Sequence, residues 1–436
     1  MTARDSRGIP RREFVKSAVA IGGTAALAAC LDRERGGDDA ASIPTGRDDP
    51  TSLPSGQHTW NRFLATDDHG NDVMARHHLL LYLDYAGDGT PTSDERETVE
   101  TAFRSLERAF EWSNEGLLFT VGYSPAYFDR FDESLPETAG LAEPKALSPF
   151  EEPEFDTNDA VVHLASDHGS VLLEAEEALK GSREKANGVE MEAHLGDVFD
   201  LPSEFPGRRT GFVGDGLPAK NQDVDGIPEE ADIDEDAPLY MGFKSGFKKN
   251  QASEDFVTIQ EGPFAGGTTQ HVSRIRLRLD DWYTENDREE NVAKMFCPAH
   301  AEEGKVEGAG DNLGDSSGVE EADCVESIDE DARTHGRIGH TQKTAAARED
   351  GSPLILRRDF DSTDRGEAGL HFLAVQRRIE DFETTREAMN GTEQTKHPTI
   401  RQRVNNGILE YTFVKRRGNF LLPPRAHRAL PGPNPQ

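Results

Sequence analysis

Apolar and polar positions fall into two kinds of pattern along the 436 residues. Short continuous apolar runs predict buried strands at 77–85 (His-His-Leu-Leu-Leu-Tyr-Leu-Asp-Tyr), 116–123, 159–166 and 189–195. Between them, Val99, Phe103, Leu106 and Phe110 recur at helical spacing over 93–113, and Thr92 stands three residues before Glu95 as a capping box. A second helix is predicted over 171–179. The resulting order, β-α-β-β-α-β, is that of a ferredoxin-like unit with an antiparallel sheet and helices on one face. The later chain repeats the scheme approximately. Residues 270–279 alternate, with Ile275, Leu277 and Leu279 on one face and Arg274, Arg276 and Arg278 on the other, which predicts a half-buried strand. A charged helix ending near Met295 follows, then an acidic, Gly-rich, insertion-like loop over 301–331. A strand at 369–375, a helix at 381–389 capped by Asp381, and apolar segments at 407–412 and 418–424 complete an α+β chain.

The ends change this picture. Arg11-Arg12-Glu13-Phe14-Val15-Lys16 is followed by a small-residue apolar run that closes on Leu27-Ala28-Ala29-Cys30. This reads as a twin-arginine export signal with a lipid-bearing Cys30, so residues 1–30 are an address rather than fold. The run is too short and too rich in Gly and Ala for a stable membrane span. Residues 31–57 are polar, lack periodicity and read as a disordered tether. Export to the outer face of the membrane, held by the lipid anchor only, is the expectation.

Charge narrows the partners. The formal net charge is −34, from 82 acidic and 48 basic side chains. Nucleic acid is excluded by like-charge repulsion and by the lack of a basic stripe. Adaptation to high salt explains the acidity. Three cysteines are present. With Cys30 assigned to lipid, Cys297 and Cys324 remain, and in an exported chain a disulfide between them is favoured over two independent thiols. Neither has a CxxC or His-rich neighbourhood, which argues against zinc. His77 and His78 are adjacent on a strand and point to opposite faces, so they are strand histidines rather than a metal pair.

The candidate chemistry lies in 333–360. His335 and His340 sit in a loop-like setting, and the run Leu354-Ile355-Leu356 ends in Arg357-Arg358. A neutral imidazole ligates a transition metal, and a guanidinium offers fixed charge and a rigid fork of donors. Upstream, Asp215 lies between Gly214 and Gly216, where the backbone can turn tightly and present a carboxylate.

Several stretches, in order, are similar to those of the dye-decolorizing (DyP-type) heme peroxidases. Residues 118–131 and 159–179 resemble the family's early strands and helix. Gly211-Phe212-Val213-Gly214-Asp215-Gly216 resembles its Gly-x-x-Asp-Gly motif, with one extra residue. His340-Thr341-Gln342-Lys343 resembles its His-Ile-Arg-Lys, Ile355-Leu356-Arg357-Arg358 its Ile-Leu-Arg-Arg, and 369–374 its Gly-Leu-x-Phe strand. Asn419 to Pro424 is similar to its Phe-x-x-Pro-Pro. The resemblance implies two ferredoxin-like halves in a DyP-like dimeric α+β barrel, at 58–205 and 206–430, with heme b in the second. It implies His340 as iron ligand, with His335 the alternative. Asp215 becomes the acid-base residue, Arg357 the cation stabilising charge at the breaking O–O bond, and Arg348 a further heme contact. Asn406 stands where many members carry an acid. Hydrogen peroxide and a small phenolic or dye-like reductant are the implied partners, and the family leaves room for a homo-oligomer. Trp282 and Tyr411 are candidates to relay electrons from the surface. A heme- or iron-handling protein with little turnover and a heme-free lipoprotein of the same fold are the rival readings.

Overall fold

A computed structural model describes residues 42–214, 226–228, 233 and 236–435. The export signature, Cys30 and Asp215 lie outside the described residues.

The first half is built on β1 (His77–Tyr85), α1 (Ser93–Ala109), β2 (Leu118–Tyr123), β3 (Ala160–Ser166), α2 (Gly169–Lys180) and β4 (Arg208–Phe212). The second is built on β5 (Thr268–Leu277), α3 (Arg288–Met295), α4 (His340–Thr344), the short strands β6 (Leu356–Arg357) and β7 (Phe360–Ser362), β8 (Gly369–Gln376), α5 (Ile379–Asn390) and β9 (Thr412–Leu422). Within the first half the strand order is β4-β1-β3-β2. Within the second it is β9-β5-β8-β7, with β6 also on β8, and all these pairs are antiparallel. Each is the ferredoxin-like order. The halves join at two seams, Phe212 opposite Asp361 and Leu421 opposite Tyr123, so the sheet closes into a barrel.

Closure explains the continuous apolar runs. Leu80 and Tyr82 of β1 face the barrel interior with Val161, Val272, Phe360, Leu373 and Phe420. Leu79, Leu81 and Leu83 face outward beneath α1 and α2, against Phe103, Leu106 and Leu172. A strand buried on both faces loses polar alternation. The same reason corrects β5, expected to be half-buried. Its residues Thr268–Arg274 are all buried, Arg274 beside Glu367, and a bulge follows Arg274.

Three further expectations change. Residues 189–195 form no long strand. Val189–Glu190 pairs only with Lys185–Ala186, and the fourth strand of the first half is β4. Asp381 lies inside the first turn of α5 and pairs with Arg378 instead of capping. The described part of the expected tether, 42–57, is docked. Gln57 donates to Val121 O (3.1 Å) and Pro423 O (2.9 Å) and accepts from Val121 N (2.9 Å) beside one seam. Its buried amide satisfies backbone groups that neither strand pairs. Capping of α1 is as expected, with Thr92 and Glu95 bonding each other's backbone. Among the described residues no helix is long and apolar enough to cross a membrane.

Candidate functional site

A cavity of about 240 Å³ lies on the outer face of the second half's sheet, under α4 and α5. That is just below the ~300–1,000 Å³ common for small-molecule sites. Strand alternation selects the floor. Leu356 and Phe360 point into the barrel, so Arg357 and Asp361, one position along, point outward and line the cavity. Ile275, Leu277, Leu370 and Phe372 extend the floor, and Phe243, Phe247, Phe296 and Phe382 wall it.

His340 is the first residue of α4. Its placement depends on two close backbone approaches. Gly339 packs against Phe296 O, where no Cβ fits. Gly407, at φ +62°, would bring a Cβ to 3.0 Å from His340 Cα. One side of α4 is anchored. Gln342 donates to Cys324 O (2.5 Å), and Lys343 Nζ donates to Met389 O (2.7 Å) and Asn406 Oδ1 (2.5 Å). The other side, His340, Thr341 and Thr344, lines the cavity. His340 is half-buried in whole-residue terms because part of its ring borders the cavity, yet Nδ1 is fully buried with no hydrogen-bond partner. Burial, then Lys343, Arg357 and Arg386, lowers its pKa to about 3, so the ring is neutral and able to ligate. Asn406, the residue in place of an acid, spends its side-chain oxygen on Lys343 and leaves Nδ1 without an acceptor. Burial, with Arg386, also holds Lys343 well below the usual lysine range.

Of the sequence candidates, the fold brings His340, Arg357 and Arg348 to one cavity. His335 is elsewhere. It ends a helix, beside Glu302 (3.2 Å), and does not line the cavity. Arg348 donates to Gly351 O (2.7 Å) and pairs with Glu320, with Nε buried and unpartnered. The Arg357 backbone is held by Gln251 (3.1 Å), while no acceptor among the described residues holds its guanidinium. Trp282 and Tyr411, read as surface relays, are buried instead, with rings 5.0 Å apart. They cover the apolar side of this half and have no surface of their own to offer a donor.

Four cavity groups escaped sequence reasoning. Asp361 is buried, accepts from Tyr240 N (2.5 Å) and is raised well above the carboxylate range by burial, with Asp359 adding to it. Arg386 and Arg417 both pair with Glu151, at 2.5 and 3.1 Å. Burial pushes Glu151 up, but the two guanidiniums outweigh it and hold its carboxyl low. Two cations on one carboxylate leave a net positive end to the cavity. Cys297 and Cys324 are joined as a disulfide behind α4.

The donor set fits heme. It offers a buried imidazole with an orphaned nitrogen, aromatic walls for a macrocycle, and arginines for its carboxylates.

The fold is similar to that of a protein from Shewanella oneidensis assigned to the DyP-type peroxidases (TM-score 0.52, 16% identity, covering 81% of this chain and 94% of that one). It is similar to the encapsulated DyP-type peroxidase of Mycobacterium smegmatis (0.51, 14%, 83% and 97%) and to DyPB of Rhodococcus jostii RHA1 (0.50, 15%, 82% and 95%). At such identities the likeness is one of fold. No curated protein matches the chain in sequence. A family model described as a family of unknown function, DUF7405, matches residues 75–424, and the chain belongs to that family.

Proposed function

We propose that the chain binds heme b in the cavity beside His340 and reduces hydrogen peroxide with electrons from small phenolic or dye-like donors. The observation that carries this reading is His340, an imidazole with a buried and unpartnered Nδ1, held at a cavity that Arg357 and Asp361 also line. Heme, when bound, supplies a redox-active iron and a ring that stores oxidising equivalents. The chain supplies the rest. His340 ligates, and Arg386, Arg417 and Arg348 meet carboxylates of the ligand. Arg357 stabilises negative charge developing on a departing oxygen. Asp215 takes the first proton of peroxide and returns it to the departing oxygen, which leaves as water, and Asp361, biased by burial toward its protonated form, lies beside the same cavity. Export by the twin-arginine route and lipid attachment at Cys30 place this chemistry on the outer face of the membrane.

The test is the absorption spectrum of the chain supplied with heme in high salt. A Soret band that His340→Ala abolishes and His335→Ala keeps is expected, with dye oxidation on adding peroxide. Arg357→Leu keeps the band and lowers turnover by roughly 10²–10³. A folded, colourless wild type overturns the reading. A specific observation favours a second one, heme binding with little turnover. Nδ1 of His340 has no carboxylate to raise its basicity. A full Soret band without peroxide consumption decides for it.

A further inference from the structure

Behind α4, away from the cavity, His300 is buried within 3.1 Å of Cys297 Sγ and 3.6 Å of Cys324 Sγ, both through Nδ1. Its other nitrogen, Nε2, donates to Ser317 O at 2.9 Å. A carbonyl only accepts, so the Nε2 proton is fixed and Nδ1 presents a lone pair to the two sulfurs. A disulfide sulfur carries no hydrogen. In the oxidised chain that lone pair therefore faces two groups that cannot donate to it, in a site where all three residues are fully buried. The arrangement makes sense for a different occupant.

We propose that Cys297, His300 and Cys324 form a zinc site in the reduced chain, and that the disulfide is its metal-free, oxidised form. The ligand atoms lie within 4.8 Å of one another. Two thiolates and a neutral imidazole are a soft donor set that selects zinc or copper(I). Charge chooses between them. A divalent ion cancels the two thiolates, whereas a monovalent ion leaves a net charge in a fully buried site. Among the described residues no fourth His, Cys, Asp or Glu joins the cluster, which leaves one position of a tetrahedral ion for water. The conversion balances with a dithiol reductant. It gives two electrons and two protons to the S–S bond and leaves as its own disulfide, and zinc then displaces the two thiol protons.

The site is joined to α4. Gln342 donates to Cys324 O and, through its backbone, to Phe296 O (3.2 Å), one residue before Cys297. An ion here clamps the segment that presents His340, and the readouts below do not depend on heme.

The experiment uses the full chain with Cys30→Ser, purified without oxygen under a dithiol, then freed of reductant. About one zinc per chain by elemental analysis is expected, with two thiols titrating only after unfolding with chelator. Cobalt(II) in place of zinc gives thiolate-to-metal charge-transfer bands. His300→Ala loses the ion, and chelator lowers the thermal midpoint of the parent but not of this variant. Air oxidation releases the zinc and removes both thiols. A reduced, folded parent with two free thiols and no zinc or cobalt overturns the proposal, and so does zinc retained unchanged in His300→Ala. The cobalt spectrum needs no variant, so poor folding of His300→Ala does not protect the idea.

Discussion

The two halves share one strand order and differ in what lies on the outer face of the sheet. In the first, residues 86–117 connect β1 to β2 through the single helix α1, whose Val99, Phe103 and Leu106 fill that face. In the second, residues 278–355 make the equivalent connection, more than twice as long, with short helices that arch over the sheet instead of lying on it. The second helices show the same contrast. Both α2 and α5 end on a left-handed glycine, Gly181 and Gly391. But α2 buries Val171, Leu172, Ala175, Ala178 and Leu179 with one charged residue, Glu176, whereas α5 buries Ile379 and Phe382 with Asp381, Arg386 and Asn390 and turns Thr385 and Met389 to the cavity. A helix that fills its face makes core. One that carries polar groups and stands off makes a site.

The strongest way to break this comparison is to empty one side chain from each face. Phe103→Ala removes a fully buried ring and is expected to cost about 3–5 kcal/mol in denaturant unfolding. Phe372→Ala is expected to cost less than about 2 kcal/mol, because Phe372 already borders a cavity and leaves little new void. Equal losses would mean the second face is as tightly packed as the first.

Next in size are the buried ion pairs. Glu151→Gln strips the carboxylate from Arg386 and Arg417 together, an expected loss of about 3 kcal/mol. Glu176→Gln on the first-half side is expected to cost about half as much. It leaves Arg208 buried, but Lys180 can turn to water. Glu151 also sets an acid limb. Its folded pKa is depressed, so its contribution is present above the unfolded value of about 4.3 and is lost as pH falls through the lower folded value. Urea midpoints measured from pH 6 down to pH 3 should fall more steeply in the wild type than in Glu151→Gln.

The contrast between halves also sets what was legible in the sequence. Strands with both faces buried announce themselves as apolar runs, and α1 by spacing and capping box. The ligand candidate His340 and the cation Arg357 were legible because a local motif carries each. Glu151 and Arg386 were not. They stand 235 residues apart and each reads as an ordinary surface charge until the fold buries them. Asp361 escaped for a related reason. Its outward position on β7 looks solvent-exposed unless the segment around Tyr240 is known to lie over it. His300 was hidden in the connection over 278–355, three residues after Cys297, where no local pattern separates it from an acidic loop.

A smaller test asks whether helix ends, rather than faces, separate the halves. Thr92→Ala removes the capping box of α1 and should cost about 1 kcal/mol. Arg378 at the N-cap of α5 makes no capping bond, and Arg378→Ala should stay within about 0.5 kcal/mol. A large loss at Arg378 would place part of the difference at the ends.

At the small end the sign turns over, and this is where the packed and hollow faces part most clearly. A carboxyl in a filled core destabilises by its burial alone, whereas a carboxyl kept for a site carries that penalty for a use. Asp361 has a folded pKa raised well above the ordinary range, against about 3.9 unfolded. Below that value both states hold the proton, and Asp361→Asn should change little, since an amide oxygen still accepts from Tyr240 N. As pH rises past about 4, the unfolded chain ionises while the folded chain stays protonated, so the wild type loses stability that the variant keeps. The thermal midpoint of Asp361→Asn should therefore exceed that of the wild type at pH 7 and match it near pH 3.5. If peroxide turnover falls in the same variant, the stability was given up for function. If turnover is unchanged and only the midpoint rises, Asp361 is a structural carboxyl at the seam, and proton transfer in the cavity falls to Asp215 alone.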